Sequence, residues 1–145
     1  MIDTHTHLYV EAFDDDRDSA IQNALNVGVT NFYIPAIDSE SHQRMFDLEK
    51  NYPEQVHLMM GLHPTHVKSN YKEELSLVKK QLSERSFSAL GEIGIDLYWD
   101  KSYLDQQQEA FDLQMSWGKE YGLPVVIHCR AAFEEVFEVL ERHRG

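Results

Sequence analysis

Short apolar runs alternate along the chain with longer stretches in which apolar residues recur every three or four positions. The first pattern predicts strands and the second predicts helices. Residues 2–6 form a candidate first strand at the very start of the chain. A helix over about 16–26 follows, with Ala20, Ile21, Ala24 and Leu25 at helical spacing and Gly28 as its stop. Residues 31–34, closed by Pro35, predict a second strand. A helix over about 40–51, ahead of Pro53, leads to a third strand at 56–61. Residues 73–83 are helical, with Leu75, Val78 and Leu82 on one side, and 88–93 form the fourth strand. A long helix at about 104–121 stops at Gly122, the strongly apolar 123–128 forms a fifth strand suited to full burial, and 132–142 forms a final helix with Phe133, Val136, Phe137 and Leu140 on one face.

Five strands alternating with five helices predict a parallel sheet with right-handed crossovers, in a single domain spanning 1–145. An open doubly wound sheet satisfies the count. So does a TIM-type (β/α)8 barrel, which needs roughly 250 residues, so that this chain supplies its first five units. The positions of the polar residues bear on the choice. Chemistry in parallel α/β folds gathers at the C-terminal ends of strands. Four predicted strands end in conspicuous polar groups: His5-Thr6-His7, Gly61-Leu62-His63-Pro64, Gly91-Glu92-Ile93-Gly94 and His128-Cys129-Arg130.

His5 and His7 are two apart, so on a strand both imidazoles project from one face and reach one metal ion. Glu92 lies in an apolar strand, where a carboxylate is costly unless something positive compensates it. A pair of metal ions does so and takes both carboxylate oxygens, while a salt bridge to Arg130 is the plainer alternative. His128 closes Val125-Val126-Ile127; alone it reads as a satisfied core histidine, and beside the other three as a ligand. Arg130 faces the same way, with a planar fork of donors suited to a phosphate or to an ion pair with Glu92 or Asp96. His63, where Pro64 fixes the turn, contacts substrate or a metal-bound water, or caps its loop. His66, Asp96, Tyr98 and Trp99 either line the cleft or are ordinary loop residues. His42, His57 and His143 carry less signal, and Cys129 alternates to the packing side.

The net charge of −12 speaks against a non-specific nucleic-acid coat, although bound divalent cations supply local positive charge. A lone cysteine permits no internal disulfide, no N-terminal segment reads as a signal peptide, and no apolar run approaches the ~20 residues of a membrane span. A soluble, cytoplasmic protein with no membrane partner is expected.

Met1-Ile2-Asp3-Thr4-His5-Thr6-His7-Leu8, Gly61-Leu62-His63-Pro64, Gly91-Glu92-Ile93-Gly94-Ile95-Asp96 and Leu123-Pro124-Val125-Val126-Ile127-His128-Cys129-Arg130 resemble, in order and spacing, the motifs of the TatD-type metal-dependent hydrolases and deoxyribonucleases. Gln107 and Phe111 also fit the family's approach to the last motif. The resemblance implies a (β/α)8 barrel with two divalent ions, Mg²⁺, Mn²⁺ or Zn²⁺, at its mouth. It implies that His5 and His7 bind one ion, that Glu92 bridges the two and that His128 binds the second. His63 is then a catalytic or substrate residue and Arg130 a substrate contact. The implied partner is DNA or another phosphodiester, cleaved by attack of a metal-activated water. The family usually has an acidic residue where Ala131 stands. It also continues for three more units, bringing a further histidine ligand and an aspartate that partners the water. On this basis a truncated or disrupted product of weak or no activity is expected, unless self-association through open sheet edges completes the barrel. A phosphoesterase of the histidinol-phosphatase type, which also opens with His-x-His, and a non-catalytic fragment are the alternatives.

Overall fold

In the computed structural model, which describes residues 1–144, the strands are β1 (Ile2–Asp3), β2 (Asn31–Ile34), β3 (Val56–Met60), β4 (Ala89–Asp96) and β5 (Val125–Arg130). The helices between and after them are α1 (Arg17–Asn26), α2 (His42–Asn51), α3 (Tyr71–Glu84), α4 (Leu104–Tyr121) and α5 (Phe133–Arg142). Short 3₁₀ turns at Glu11–Phe13, Ser39–Ser41 and Pro64–His66 were not anticipated from periodicity. All four strand pairings are parallel, and the sheet order is β1-β2-β3-β4-β5.

That order decides between the two architectures. A doubly wound sheet reverses direction partway, placing its first strand in the interior. Here every new strand adds to the same edge, so the sheet curls in one sense into a half-barrel with its helices outside.

Helices α1 and α3 dock by the apolar stripes read from the sequence, whereas α5 departs from its predicted face: Val136 is buried and Leu140 half-buried, but Phe133 and Phe137 are exposed and Val139 is buried instead. Ile21 of α1, Met45 and Leu48 of α2, Leu75, Val78 and Leu82 of α3, Ala110 and Phe111 of α4, and Val136 and Val139 of α5 are all buried in one core with Phe32, Ile34, Leu58, Met60, Leu90, Ile93 and Ile95 of the strands. Helix α4 ends at Gly122 in the left-handed region (φ 63°), with Leu123 N–H donating back to Gly118 O at 2.9 Å. Helix α1 ends two residues before Gly28, whose φ is 94°.

Strand β4 is buried along all eight residues. The equally apolar β5 is only half-buried, and Ile127 is 36% exposed. Full burial was expected of it. As an edge strand it has a neighbour on one side alone among the described residues. The outer face of α5 likewise leaves Phe133 and Phe137 exposed, with their rings stacked. No helix among the described residues is long and apolar enough to cross a membrane.

His42 of α2 is buried, and its Nε2 has no hydrogen-bond partner. Burial pushes its pKa below the ordinary 6.5, against weaker pulls from Glu74 and Asp38. Folding therefore favours the neutral ring, and stability is lost as pH falls below the unfolded value. A His42→Leu variant is expected to escape this loss. Its Tm advantage over the parent should widen as pH drops from about 7 to about 5 and stay flat above about 7. Parallel Tm curves would show that His42 carries no such penalty.

Candidate metal centre

Glu92 lies within β4, 7% exposed, and four imidazoles surround its carboxylate. His5 Nε2 is 3.1 Å from Oε2, His7 Nε2 and His63 Nε2 are each 3.6 Å from Oε2, and His128 Nδ1 is 3.0 Å from Oε1. His5, His7 and Glu92 offer three ligand atoms close enough for one ion, and His63, Glu92 and His128 offer another three. These donors come from four chain segments, each following or belonging to a strand. The polar strand ends singled out from sequence are thus brought to one place.

The route by which His5 and His7 arrive differs from expectation. Strand β1 ends at Asp3, and both histidines lie beyond it. The segment stays extended enough for Thr6 N–H to donate to Tyr33 O at 3.1 Å, and the two rings remain on one side, 5.2 Å apart.

In the neutral rings of His7 and His63 the partner of the second nitrogen favours one tautomer. Tyr9 donates its one hydroxyl proton to Pro35 O at 2.9 Å, so at 3.2 Å it accepts from His7 Nδ1–H. That leaves His7 Nε2 as a bare lone pair facing Glu92. His128 lies between two carboxylates, with Nε2 2.8 Å from Asp96 Oδ2 and Nδ1 3.0 Å from Glu92 Oε1, so either ring nitrogen can carry the proton. His63 is the opposite case to His7. Thr65 N–H donates to its Nδ1 at 3.2 Å, so its Nε2 carries the proton and faces Glu92 as a donor. His5 makes no second ring contact among the described residues.

A lone pair aimed at a carboxylate oxygen is repulsive unless something positive lies between them. A proton is one solution. Glu92 raises the His128 pKa, burial opposes this, and Asp96 adds to the rise. Burial alone would raise Glu92, but the imidazoles of His128, His63 and His7 against it outweigh this and hold the carboxyl far below the usual range. Burial also opposes ionisation of Asp96, yet His128 and the Tyr98 N–H keep it low. A divalent cation is the other solution, since imidazole lone pairs and carboxylate oxygens are its ordinary ligands.

Three residues in this arrangement were missed or underread in the sequence. Asp96 is 2% exposed and orients His128. Gln107 accepts from Asp96 N–H at 2.8 Å and donates to Asp96 O at 3.1 Å. Gln114, one heptad later on α4, grips Leu62 beside His63 in the same way, at 2.8 and 3.4 Å. The signal was present: two glutamines seven apart on the apolar face of α4, where a buried amide needs backbone partners.

Arg130 forms no ion pair with Glu92 or Asp96 among the described residues. Its guanidinium lies 3.8 Å from the centroid of the Tyr98 ring. Glu92 is already occupied by imidazoles and Asp96 by His128 and the Tyr98 N–H, so neither carboxylate has need of it. Cys129 packs against the core, as alternation implied.

Comparison with known proteins agrees with this geometry. Residues 2–145 match the family described as TatD related DNase. The chain is 33% identical over 145 residues to the uncharacterized metal-dependent hydrolase YjjV of Escherichia coli K12, covering 99% of this chain and 56% of that protein. The crystal structure of YjjV superposes with a TM-score of 0.89, at 32% identity and the same coverage. A second metal-dependent hydrolase, YabD of Bacillus subtilis, is 32% identical over 97% of this chain and 55% of its own length. The 3'-5' ssDNA/RNA exonuclease TatD of Erwinia tasmaniensis is 31% identical, covering 97% of this chain and 54% of its own. The chain therefore spans about half the length of the curated relatives it matches, as five of eight units in a barrel would.

Proposed function

This chain belongs to the TatD-related DNase family, and we propose from that premise that it is a divalent-metal-dependent hydrolase cleaving phosphodiester bonds in nucleic acid strands. The observation that carries the reading is the convergence of four imidazoles, from His5, His7, His63 and His128, on one buried carboxylate.

His5 and His7 would hold one ion, Glu92 would bridge it to a second, and His128 would hold the second. The donor set suits Zn²⁺ or Mn²⁺ and admits Mg²⁺. Bound there, such ions supply an activated water and draw off the charge that builds on phosphate oxygens. The chain's own residues do the rest. Asp96 orients the His128 ring, and Tyr9 keeps His7 Nε2 free. His63, its Nε2–H fixed by Thr65, offers a donor to a substrate oxygen. The names of the relatives, hydrolase and ssDNA/RNA exonuclease, favour nuclease action over a phosphatase of the histidinol-phosphatase type.

Calorimetric titration with Mn²⁺ and Zn²⁺, paired with digestion of an end-labelled single strand, tests the reading. Saturable binding, reversed by chelation, with at most slow metal-dependent shortening of the strand is the expected result. A protein that binds neither ion would end the metal-centre reading. Binding without cleavage would restrict the described residues to metal capture.

A further inference from the structure

Directly beyond β4 the chain places two large aromatic residues in solvent. Tyr98 is 57% exposed and Trp99 73%, whereas the other tryptophan, Trp117, is 7% exposed in the helix layer. The two rings meet edge to face, with centroids 4.7 Å apart and planes at 88°. Arg130 lies over Tyr98 at 3.8 Å and 5.3 Å from the Trp99 ring. The guanidinium covers one face of Tyr98 and stands more distantly over the indole, which keeps 73% of its surface exposed.

This cluster is attached to the metal centre. Tyr98 N–H donates to Asp96 Oδ1 at 3.0 Å, and the other oxygen of Asp96 holds His128. Arg130 pairs with Asp96 in the β4–β5 register and stands two residues after His128. Lys68 reaches the same loop, 3.5 Å from Asp100. A flat π surface and a cation thus lie side by side at the mouth, in a chain whose net charge is −12.

Exposed aromatic area of this kind is unfavourable until something apolar and flat covers it. A nucleobase fits on chemical grounds: it stacks on indole, and the phosphate that accompanies it pairs with guanidinium. Bases inside a duplex are covered on both faces, so only an unpaired base can lie on the indole. We propose that Trp99, with Tyr98 and Arg130, forms a base-stacking subsite that seats an unpaired nucleotide beside the metal centre and selects single strands. The proposal rests on the nuclease reading above and assigns the residues that impose its strand preference. Stacking does not read the sugar, so DNA and RNA strands are accepted alike.

Trp99 reports on its own occupancy, because it is the one exposed tryptophan of the two. Without added metal, so that nothing is cut, the chain is titrated with oligothymidylate and oligouridylate of about eight nucleotides. An abasic strand of equal length and a blunt duplex serve as controls. Both single strands should quench tryptophan emission, and neither control should. By anisotropy of a labelled strand, Trp99→Leu should weaken binding about ten-fold, and Trp99→Phe should recover most of the loss. Metal affinity and the unfolding midpoint should not move in either variant.

Equal binding of the abasic strand, an unchanged affinity in Trp99→Leu, or a response confined to one sugar would overturn the proposal. A metal titration of the same sample separates the two readings. Metal bound without quenching overturns the stacking subsite and leaves the metal centre standing. Quenching in a sample that then fails to bind added metal supports the subsite and counts against the centre.

Discussion

Replacing Glu92 by glutamine is expected to lower affinity for Mn²⁺ or Zn²⁺ by more than about a hundred-fold while leaving the chain folded. The substitution keeps the volume of a side chain that is 7% exposed, so packing does not change. What changes is the anion between the imidazoles. Glutamine offers one carbonyl oxygen and an amide that faces a ring nitrogen as a donor, and it cannot bridge two cations. Asp96→Asn is expected to do less, about 10- to 100-fold, because it frees the His128 ring without removing a ligand. Calorimetry on the parent and both variants checks the order.

The pH dependence has a definite sign. His128 carries a raised pKa in the folded chain, chiefly through Glu92. A cation at Nδ1 must displace that proton, so parent affinity should rise with pH until His128 is neutral and then level off. In Glu92→Gln the main cause of the raised pKa is gone, and the rise should flatten. Parent-like affinity in Glu92→Gln would remove the carboxylate from the ligand set. Equal losses in the two variants would make Asp96 a ligand itself.

The candidate site was legible in outline because its donors lie at strand ends, and strand ends can be found from apolar runs. Glu92 stood out by its cost: a carboxylate within Ala89-Leu90-Gly91 and Ile93-Gly94 has no local partner, so a distant one had to exist. What sequence could not supply was the partner of each second ring nitrogen. That Tyr9 would set the His7 tautomer depends on Pro35 O, 26 residues away, taking the Tyr9 proton. That His63 turns an N–H toward Glu92 follows from Thr65, and that His128 sits between two carboxylates follows from Asp96. The two histidines look alike in a linear reading.

Periodicity alone left the strand order open, since five alternating units fit both architectures; the motif resemblance implied the barrel, and the pairing of consecutive strands bears it out. The Arg130 ion pair failed for a related reason. Sequence shows which charges are close along the chain, and not which are already taken. Ala131, where the family usually has an acidic residue, adopts a positive φ of 52°, a conformation that aspartate tolerates better than alanine. The departure therefore falls on the backbone of the β5–α5 turn and leaves the candidate ligands unchanged.

Gly94→Ala is expected to be the most destabilising single methyl added to the chain, costing more than about 4 kcal/mol or preventing folding. Gly94 has φ 139°, and a Cβ built there would stand 2.0 Å from the backbone oxygen of His128. The obstacle is main chain in a paired strand, which has no rotamer to give. Gly94 is the register partner of His128, and its neighbours Ile93 and Ile95 are fully buried, so β4 cannot move aside. Any accommodation must push β5 outward and carry the His128 ring away from Glu92, now 3.0 Å distant. Gly28→Ala is the control. It too has a positive φ, 94°, but nothing lies within 4 Å of the added carbon. It should cost only the backbone strain, about 1–2 kcal/mol, and leave metal affinity intact. Urea unfolding followed by circular dichroism, with metal titration of whatever remains folded, measures both. A Gly94→Ala midpoint no lower than that of Gly28→Ala would mean that β5 is free to shift. Close packing at the β4–β5 step would then not be what holds His128 against the carboxylate.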